Sequence, residues 1–212
     1  MKIAIFGASG ATGRLLTERS LAAGHTVAAL LRTPGSFPYA DRVRVIQGDA
    51  YSADAIAQTV AGADAVFSAL GARSLKKDDV LERGVPLIVQ AMVAAGVSRI
   101  VALGSAGALD SSLDKQAAWR RWIVQNIVYN TFLKWPVAAQ RAQYRILAAS
   151  RLDWTMVMPP MLTNGAGRWK YRVDGEALPR GGSRIARADV ADFMFQQLTS
   201  NEWSRKGVYI SW

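Results

Sequence analysis

The sequence predicts an α/β fold, a doubly wound parallel sheet in a single domain, and three observations carry that prediction. Short, near-continuous aliphatic runs alternate with amphipathic stretches along the whole 212-residue chain. That is the pattern of strands buried on both faces, with each crossover laying a helix across the sheet. The first such run ends in a glycine-rich turn, Gly7-Ala8-Ser9-Gly10-Ala11-Thr12-Gly13, which opens a helix. Half of the residues are hydrophobic and a fifth are charged, the balance of a globular domain that builds its core without staples.

Residues 2–6 are a short apolar run closed by glycine and read as the first strand. Over 11–23, Leu15, Leu16 and Leu21 share one helix face, and Gly24-His25 closes that helix. The β-branched and aliphatic residues 26–31 read as a buried second strand and complete a βαβ unit. The alternation continues with a strand over 43–47, a short helix over 53–60, a strand over 65–70, a helix over 79–95 and a strand over 99–103. Residues 115–150 form a long helical region interrupted at Pro136, which lacks the N–H a helix interior needs. A sixth strand over 154–158, a helix over 190–198 and a last strand over 208–211 close the series, and right-handed crossovers make it doubly wound. The glycine-rich, polar stretch 163–187 is the longest without periodicity. It reads either as a substrate-side lid, since ligands in such sheets sit beyond the carboxyl ends of the strands, or as a surface loop.

Composition excludes several chemistries. The chain has no cysteine, hence no disulfide, thiolate nucleophile or cysteine zinc site. Its one histidine, His25, lies in the turn before the second strand, opposite the edge where a ligand would bind. A serine–histidine triad and a histidine metal centre are thereby removed, and no metal is expected. No run approaches the roughly 18 apolar residues of a spanning helix, and Gly7, Gly10 and Gly13 interrupt the first apolar run too early for a signal peptide. The expectation is a soluble, cytoplasmic protein without stable membrane insertion. The net charge of +10 is concentrated in 115–151, which holds seven basic residues and no acidic one. A solvated helix face that also attracts an anionic cofactor accounts for it better than a polynucleotide partner, so no nucleic acid is expected.

The turn carries the strongest functional signal. A pyrophosphate needs backbone N–H donors at a helix N-terminus and no side chains in its way. The GxxGxxG pattern, placed after a first strand and before a helix within a βαβ unit, is the context in which such glycines bind a dinucleotide. Gly7 permits the tight turn, Gly10 the approach of phosphate, and Gly13 the packing of helix on strand. Ala11 begins the helix, and Ser9 and Thr12 supply hydroxyls for the phosphate or for capping. At the end of the second strand, where a carboxylate would accept the ribose hydroxyls of NAD, Arg32-Thr33 stands instead. Arg32 reads as the partner of a 2′-phosphate, which favours NADP(H) over NAD(H), or as one more exposed strand-end arginine. Asp49, followed by Ala50, reads as a contact to the adenine amino group or as a turn aspartate.

These residues, together with Ser68-Ala69-Leu70-Gly71, Ser105-Ala106-Gly107, the segment Leu152 to Pro160 and Asp189-Val190-Ala191-Asp192-Phe193-Met194, resemble the atypical short-chain dehydrogenases with an NAD(P)H-binding domain. The nearest type is the biliverdin reductase B/flavin reductase-like group, a neighbour of the NmrA-like proteins. The resemblance covers nearly the whole chain. It implies a Rossmann-type strand order 3-2-1-4-5-6-7, cofactor contacts from the glycine turn, Arg32, Asp49, Ala69, Leu70, Gly71, Arg73 and Ser105, and a nicotinamide and substrate side lined by Met158, Pro159 and Pro160. One departure matters. Counted back from Ser150, the tyrosine and lysine positions of the usual YxxxK pair fall on Pro136 and Gln140, neither of which can donate and relay a proton. The flavin reductase-like group also lacks the tyrosine.

The chemistry left is hydride transfer from NADPH to a conjugated small-molecule acceptor, a flavin, quinone or similar, where positioning matters more than acid catalysis. Ser105, at the end of the fifth strand, and Gln140 are the candidate polar groups for that step, with aromatic or methionine side chains near Met158 and Met161 stacking on the acceptor. Tyr129 and Tyr144 in the long helical region read either as acids or, as their spacing favours, as packing residues. The alternative function is an NmrA-like cofactor-sensing regulator without turnover, and the chain is expected to be a monomer or homodimer. In 119–135, Trp119, Trp122, Ile123 and Ile127 form one apolar row and Val124, Val128, Phe132 and Trp135 another. One row is expected to pack on the sheet, the other to face extra core, a subunit, an apolar substrate or a membrane surface.

Overall fold

The computed structural model describes residues 1–72 and 74–212, so the expectation for Arg73 lies outside the described residues. In chain order the elements are β1 (Lys2–Phe6), α1 (Ala11–Ala22), β2 (Thr26–Leu31), β3 (Arg44–Gln47), α2 (Ala53–Val60), β4 (Ala65–Ser68), α3 (Val80–Ala94), β5 (Arg99–Leu103), α4 (Ala118–Ile123), α5 (Lys134–Ala149), β6 (Asp153–Met158), β7 (Met161–Thr163), β8 (Arg172–Asp174), β9 (Arg184–Ala186), α6 (Arg187–Gln196) and β10 (Lys206–Ser211). The main sheet runs β3-β2-β1-β4-β5-β6-β10-β8. Its first seven strands are parallel and follow the expected order 3-2-1-4-5-6-7, with β10 as the seventh predicted strand.

Strand alternation sorts the core into two layers. Ala4 and Phe6 of β1 face the side filled by Ile56 of α2, Leu81, Ile88 and Met92 of α3 and Leu147 of α5. Ile3 and Ile5 face the side filled by Leu16 of α1 and Val190 and Met194 of α6. Side chains i and i+1 of a strand point to opposite faces, so helices on both faces demand apolar residues at every position, which is why the strands read as continuous runs. Helix α1 stops at a glycine: Gly24 takes φ +74, its N–H donates to the Leu21 carbonyl at 3.1 Å and that of His25 to Ser20 at 2.9 Å, the paired bonds of a left-handed C-terminal cap.

Two regions depart from the sequence reading. The stretch 163–187 is tied into strands at both ends. Strand β8 pairs antiparallel with β10, Val173 opposite Ile210, and β9 pairs parallel with β7 in a separate small sheet. Three residues per strand carry too little periodicity to be read. In 115–150 the break comes at Leu133, ahead of Pro136. Helix α4 widens into a π-helical stretch, Val124–Phe132, whose last turn is closed by the Leu133 N–H on the Val128 carbonyl at 2.8 Å. Pro136 then sits in the first turn of α5, where its missing N–H would have had no helical partner. Neither apolar row of this segment packs on the sheet. No residue of α4 or of the π-helical stretch is buried, and Trp119 and Trp122 are 69% and 60% exposed. Ala139 and Leu147 of α5 already fill that sheet face, leaving 118–132 to stand off it.

Candidate functional site

The carboxyl ends of β1, β2, β3 and β4 open on a cleft of about 170 Å³ bounded by Gly7, Ser9, Gly10, Arg32, Asp49, Ala50, Ala69, Leu70 and Gly71. Nine positions read from four separate sequence segments thus meet at one place. Leu30, Gly48 and Val80 also border it. They escaped the sequence reading because an apolar strand residue or a turn glycine carries no chemical label. Gly7 has φ +76, and a Cβ there would stand 2.5 Å from the Ala69 carbonyl oxygen, so both backbone conformation and the neighbouring strand require glycine. A Cβ on Gly13 would lie 2.1 Å from the Gly7 oxygen and 2.8 Å from Ala8 Cα, which is the close helix-on-strand packing expected of it.

Gly10 is the N-cap of α1, with no side-chain cap and no acidic residue in the first turn. Among the described residues the amides of Ala11, Thr12 and Gly13 have no acceptor, and they converge with the positive end of the helix dipole. A Cβ on Gly10 would meet only the Gly7 oxygen, at 3.2 Å, so at Gly10 no side chain stands in the approach to the start of α1. Ser9 is exposed and its carbonyl accepts from Arg14 Nε at 3.0 Å, while Thr12 is buried. Arg32 and Thr33 are exposed at the end of β2, and Arg32 has no carboxylate within ion-pair distance among the described residues. Asp49 serves its turn, with Oδ1 accepting the Tyr51 N–H at 2.9 Å, and it also borders the cleft. This cradle fits a dinucleotide's phosphates: a helix start with no side-chain cap and a cation that, among the described residues, has no carboxylate within ion-pair distance.

Beyond β5 and β6 lies a second cavity of about 430 Å³, floored by Ser105, Ala106, Pro160 and Met161 and roofed by Val124, Val128, Tyr129 and Leu133. Ser105 is half-buried and its Oγ accepts the Gly107 N–H at 3.4 Å, capping a short turn. The Ala106 N–H donates to the Pro159 carbonyl at 2.8 Å, locking the loops after β5 and β6 together. Burial pushes the Tyr129 hydroxyl up, partly offset by Ser112, Arg120 and Arg141. Tyr144 instead packs edge-on against Trp154, ring centres 5.5 Å apart.

Two expectations are corrected. The Met158 side chain is fully buried, close against Gly104 and Gly207, and cannot stack on an acceptor; Met161, 63% exposed, is the methionine at the cavity. Alternation along β6 turns Met158 into the core. Gln140 is buried too and lines neither cavity: its Oε1 accepts from Gln143 Nε2 at 3.2 Å, and that same nitrogen donates to the Leu103 carbonyl at 2.9 Å. Gln143 thus ties α5 to the end of β5, and Gln140 braces Gln143.

The profile of the NAD(P)H-binding family matches residues 7–201, from the first glycine of the turn to beyond α6. The chain belongs to the NAD(P)H-binding family. Among curated proteins, this family member is 35% identical over 114 residues to a 3-diazoavenalumate denitrifying reductase from a Streptomyces species, a match covering 48% of this chain and 37% of that protein. The chain spans only 12% to 37% of the length of the curated relatives it matches. Among solved structures it is similar to ChuY, an anaerobillin reductase from Escherichia coli O157:H7, with TM-score 0.84 and 21% identity over 100% of this chain and 97% of that one. It is also similar to a short-chain dehydrogenase/reductase from Veillonella parvula DSM 2008 solved with NADP, with TM-score 0.81 and 20% identity over 100% and 94%. At these identities the solved structures speak to the fold. No helix among the described residues is long and apolar enough to cross a membrane.

Proposed function

We propose that the chain is an NAD(P)H-dependent reductase that prefers NADPH and passes a hydride to a conjugated small-molecule acceptor, a flavin, quinone or similar. The observation that carries this reading is the uncapped start of α1 beside Arg32, with an apolar cavity beyond β5 and β6 on the same edge of the sheet. Membership of the NAD(P)H-binding family and the reductase among its relatives support it.

In this reading the amides of Ala11, Thr12 and Gly13 bind the pyrophosphate, and Arg32 with Thr33 holds the 2′-phosphate through charge-assisted hydrogen bonds. Asp49 accepts from the adenine amino group, while Ala50, Ala69, Leu70 and Gly71 border the adenosine. Ser105 orients the nicotinamide side through its hydroxyl, and Pro159 and Pro160 shape it. The bound cofactor supplies a hydride. In this reading the chain works without a Tyr–Lys pair, the positions counted for it from Ser150 holding Pro136 and Gln140. A conjugated acceptor does not need one, because its delocalised anion takes a proton from water and the protein's task is alignment.

The test is NADPH oxidation followed spectrophotometrically across flavins and quinones, with NADH in parallel. Turnover that is faster at low NADPH than at equal NADH is expected. Tight cofactor binding without turnover on any acceptor would contradict the reductase reading and leave the cofactor-sensing regulator in its place.

A further inference from the structure

We infer that the cavity beyond β5 and β6 takes an acceptor whose conjugated body carries a carboxylate, held by Arg120. The proposal rests on the reductase reading only in naming the ligand an acceptor; the site itself follows from the charge placed in the cavity.

The walls are apolar, with Leu113, Val124, Val128, Leu133, Met161 and Leu178 facing the space. A volume of about 430 Å³ falls in the range of roughly 300–1,000 Å³ typical of small-molecule sites. Among the described residues Arg120 is the one charged residue of the lining. It comes from α4, and two neutral oxygens fix its guanidinium: Nη1 donates to Gln116 Oε1 at 3.2 Å and Nη2 to the Gly182 carbonyl at 2.9 Å. Gln116 is itself buried and built in, donating to the carbonyls of Leu178 and Pro179 at 2.8 and 3.0 Å and accepting the Gly181 N–H at 3.2 Å. The fork is therefore aimed before any ligand arrives, with most of its five donors still unused.

Its neighbours are treated differently. Arg121 faces Asp114 at 3.6 Å, Lys115 pairs with Asp174 at 2.6 Å and Glu176 at 3.0 Å, and Arg141 pairs with Asp110. Among the described residues Arg120 has no carboxylate within ion-pair distance. Arg120 is half-buried beside these apolar walls, and a partly desolvated cation is stabilised when an anion meets it. A single planar fork, with no second cation lining the same cavity among the described residues, suits a carboxylate better than a dianionic phosphate.

The experiment compares a naphthoquinone carboxylic acid with its methyl ester, both titrated calorimetrically into the NADP⁺-loaded protein, where binding is read without turnover. The acid is expected to bind about 10- to 100-fold tighter than the ester, the scale of a charge-assisted bond. Arg120→Gln removes that preference, Arg120→Lys keeps part of it, and the NADPH affinity of both stays within about twofold. Because Arg120 also braces Gly182, the wild-type acid–ester comparison decides the matter even if Arg120→Gln unfolds. Equal affinity of acid and ester, or a preference that survives in folded Arg120→Gln, would overturn the inference. A preference for the acid without NADPH oxidation would uphold this site and reject the reductase reading.

Discussion

At the scale of single residues, the positions that could be read from sequence are those whose constraint is local. Gly7, Gly10 and Gly13 serve a turn and a helix start within seven residues, and Arg32 follows its strand directly. Replacing Arg32 with alanine is expected to weaken NADPH binding about 10- to 100-fold, the worth of one or two charge-assisted hydrogen bonds, and to leave NADH within about twofold. Fluorescence titration of both cofactors checks this, and equal losses for the two would assign Arg32 to the common phosphates. Arg120 was out of reach because its partner Gly182, and Leu178, which anchors the neighbouring Gln116, lie some 60 residues on, and tertiary structure alone brings them near. Asp189 was seen only as part of a motif. In the fold it is fully buried, accepting the N–H groups of Arg168 and Trp169 at 3.0 and 2.8 Å and Trp212 Nε1 at 2.7 Å. Asp189→Asn turns an amide NH₂ toward donors and is expected to cost about 2–3 kcal/mol, measurable as a lower denaturation midpoint at unchanged slope.

At the scale of elements, the seven parallel strands and the helices between them were legible because burial on both faces writes an unbroken apolar run. Strands β7, β8 and β9 were not, at three residues each. The segment 118–132 shows the limit of periodicity from another side. Its apolar residues fall into helical rows, but the pitch widens to i→i−5 bonding at Leu133, and rows counted at 3.6 residues per turn no longer name the faces. Val124 and Val128 line the cavity while Phe132 is 66% exposed, though all three belong to one predicted row. Pro136 in the first turn of α5 breaks nothing, so Pro136→Ala is expected to change stability by less than about 1 kcal/mol, with an unchanged far-UV spectrum. A large stabilisation would mean the proline interrupts a continuous helix after all.

At the scale of the whole molecule, the edge built from β8 and α6 couples stability to alkaline pH. Tyr171 donates its hydroxyl to Asp192 at 3.1 Å, and burial, reinforced by the Asp192 charge, leaves its pKa pushed up to about 12. Burial likewise raises Tyr209. An unfolded tyrosine ionises near pH 10, so below that both states hold the proton and stability is unaffected. As pH rises from about 10 toward 12 the unfolded chain releases protons the folded one keeps, and stability falls. The melting temperature is expected to decline across that window, less steeply in Tyr171→Phe, and a flat profile would deny the buried tyrosines this role. The central claim concerns the other edge, where Gly7, Ser9 and Gly10, leading into α1, line one cleft with Arg32. Calorimetric titration of the folded protein with NADPH and NADH tests it most directly: one saturable site for each, tighter for NADPH, is the result the account predicts, and no heat from either nucleotide would contradict it.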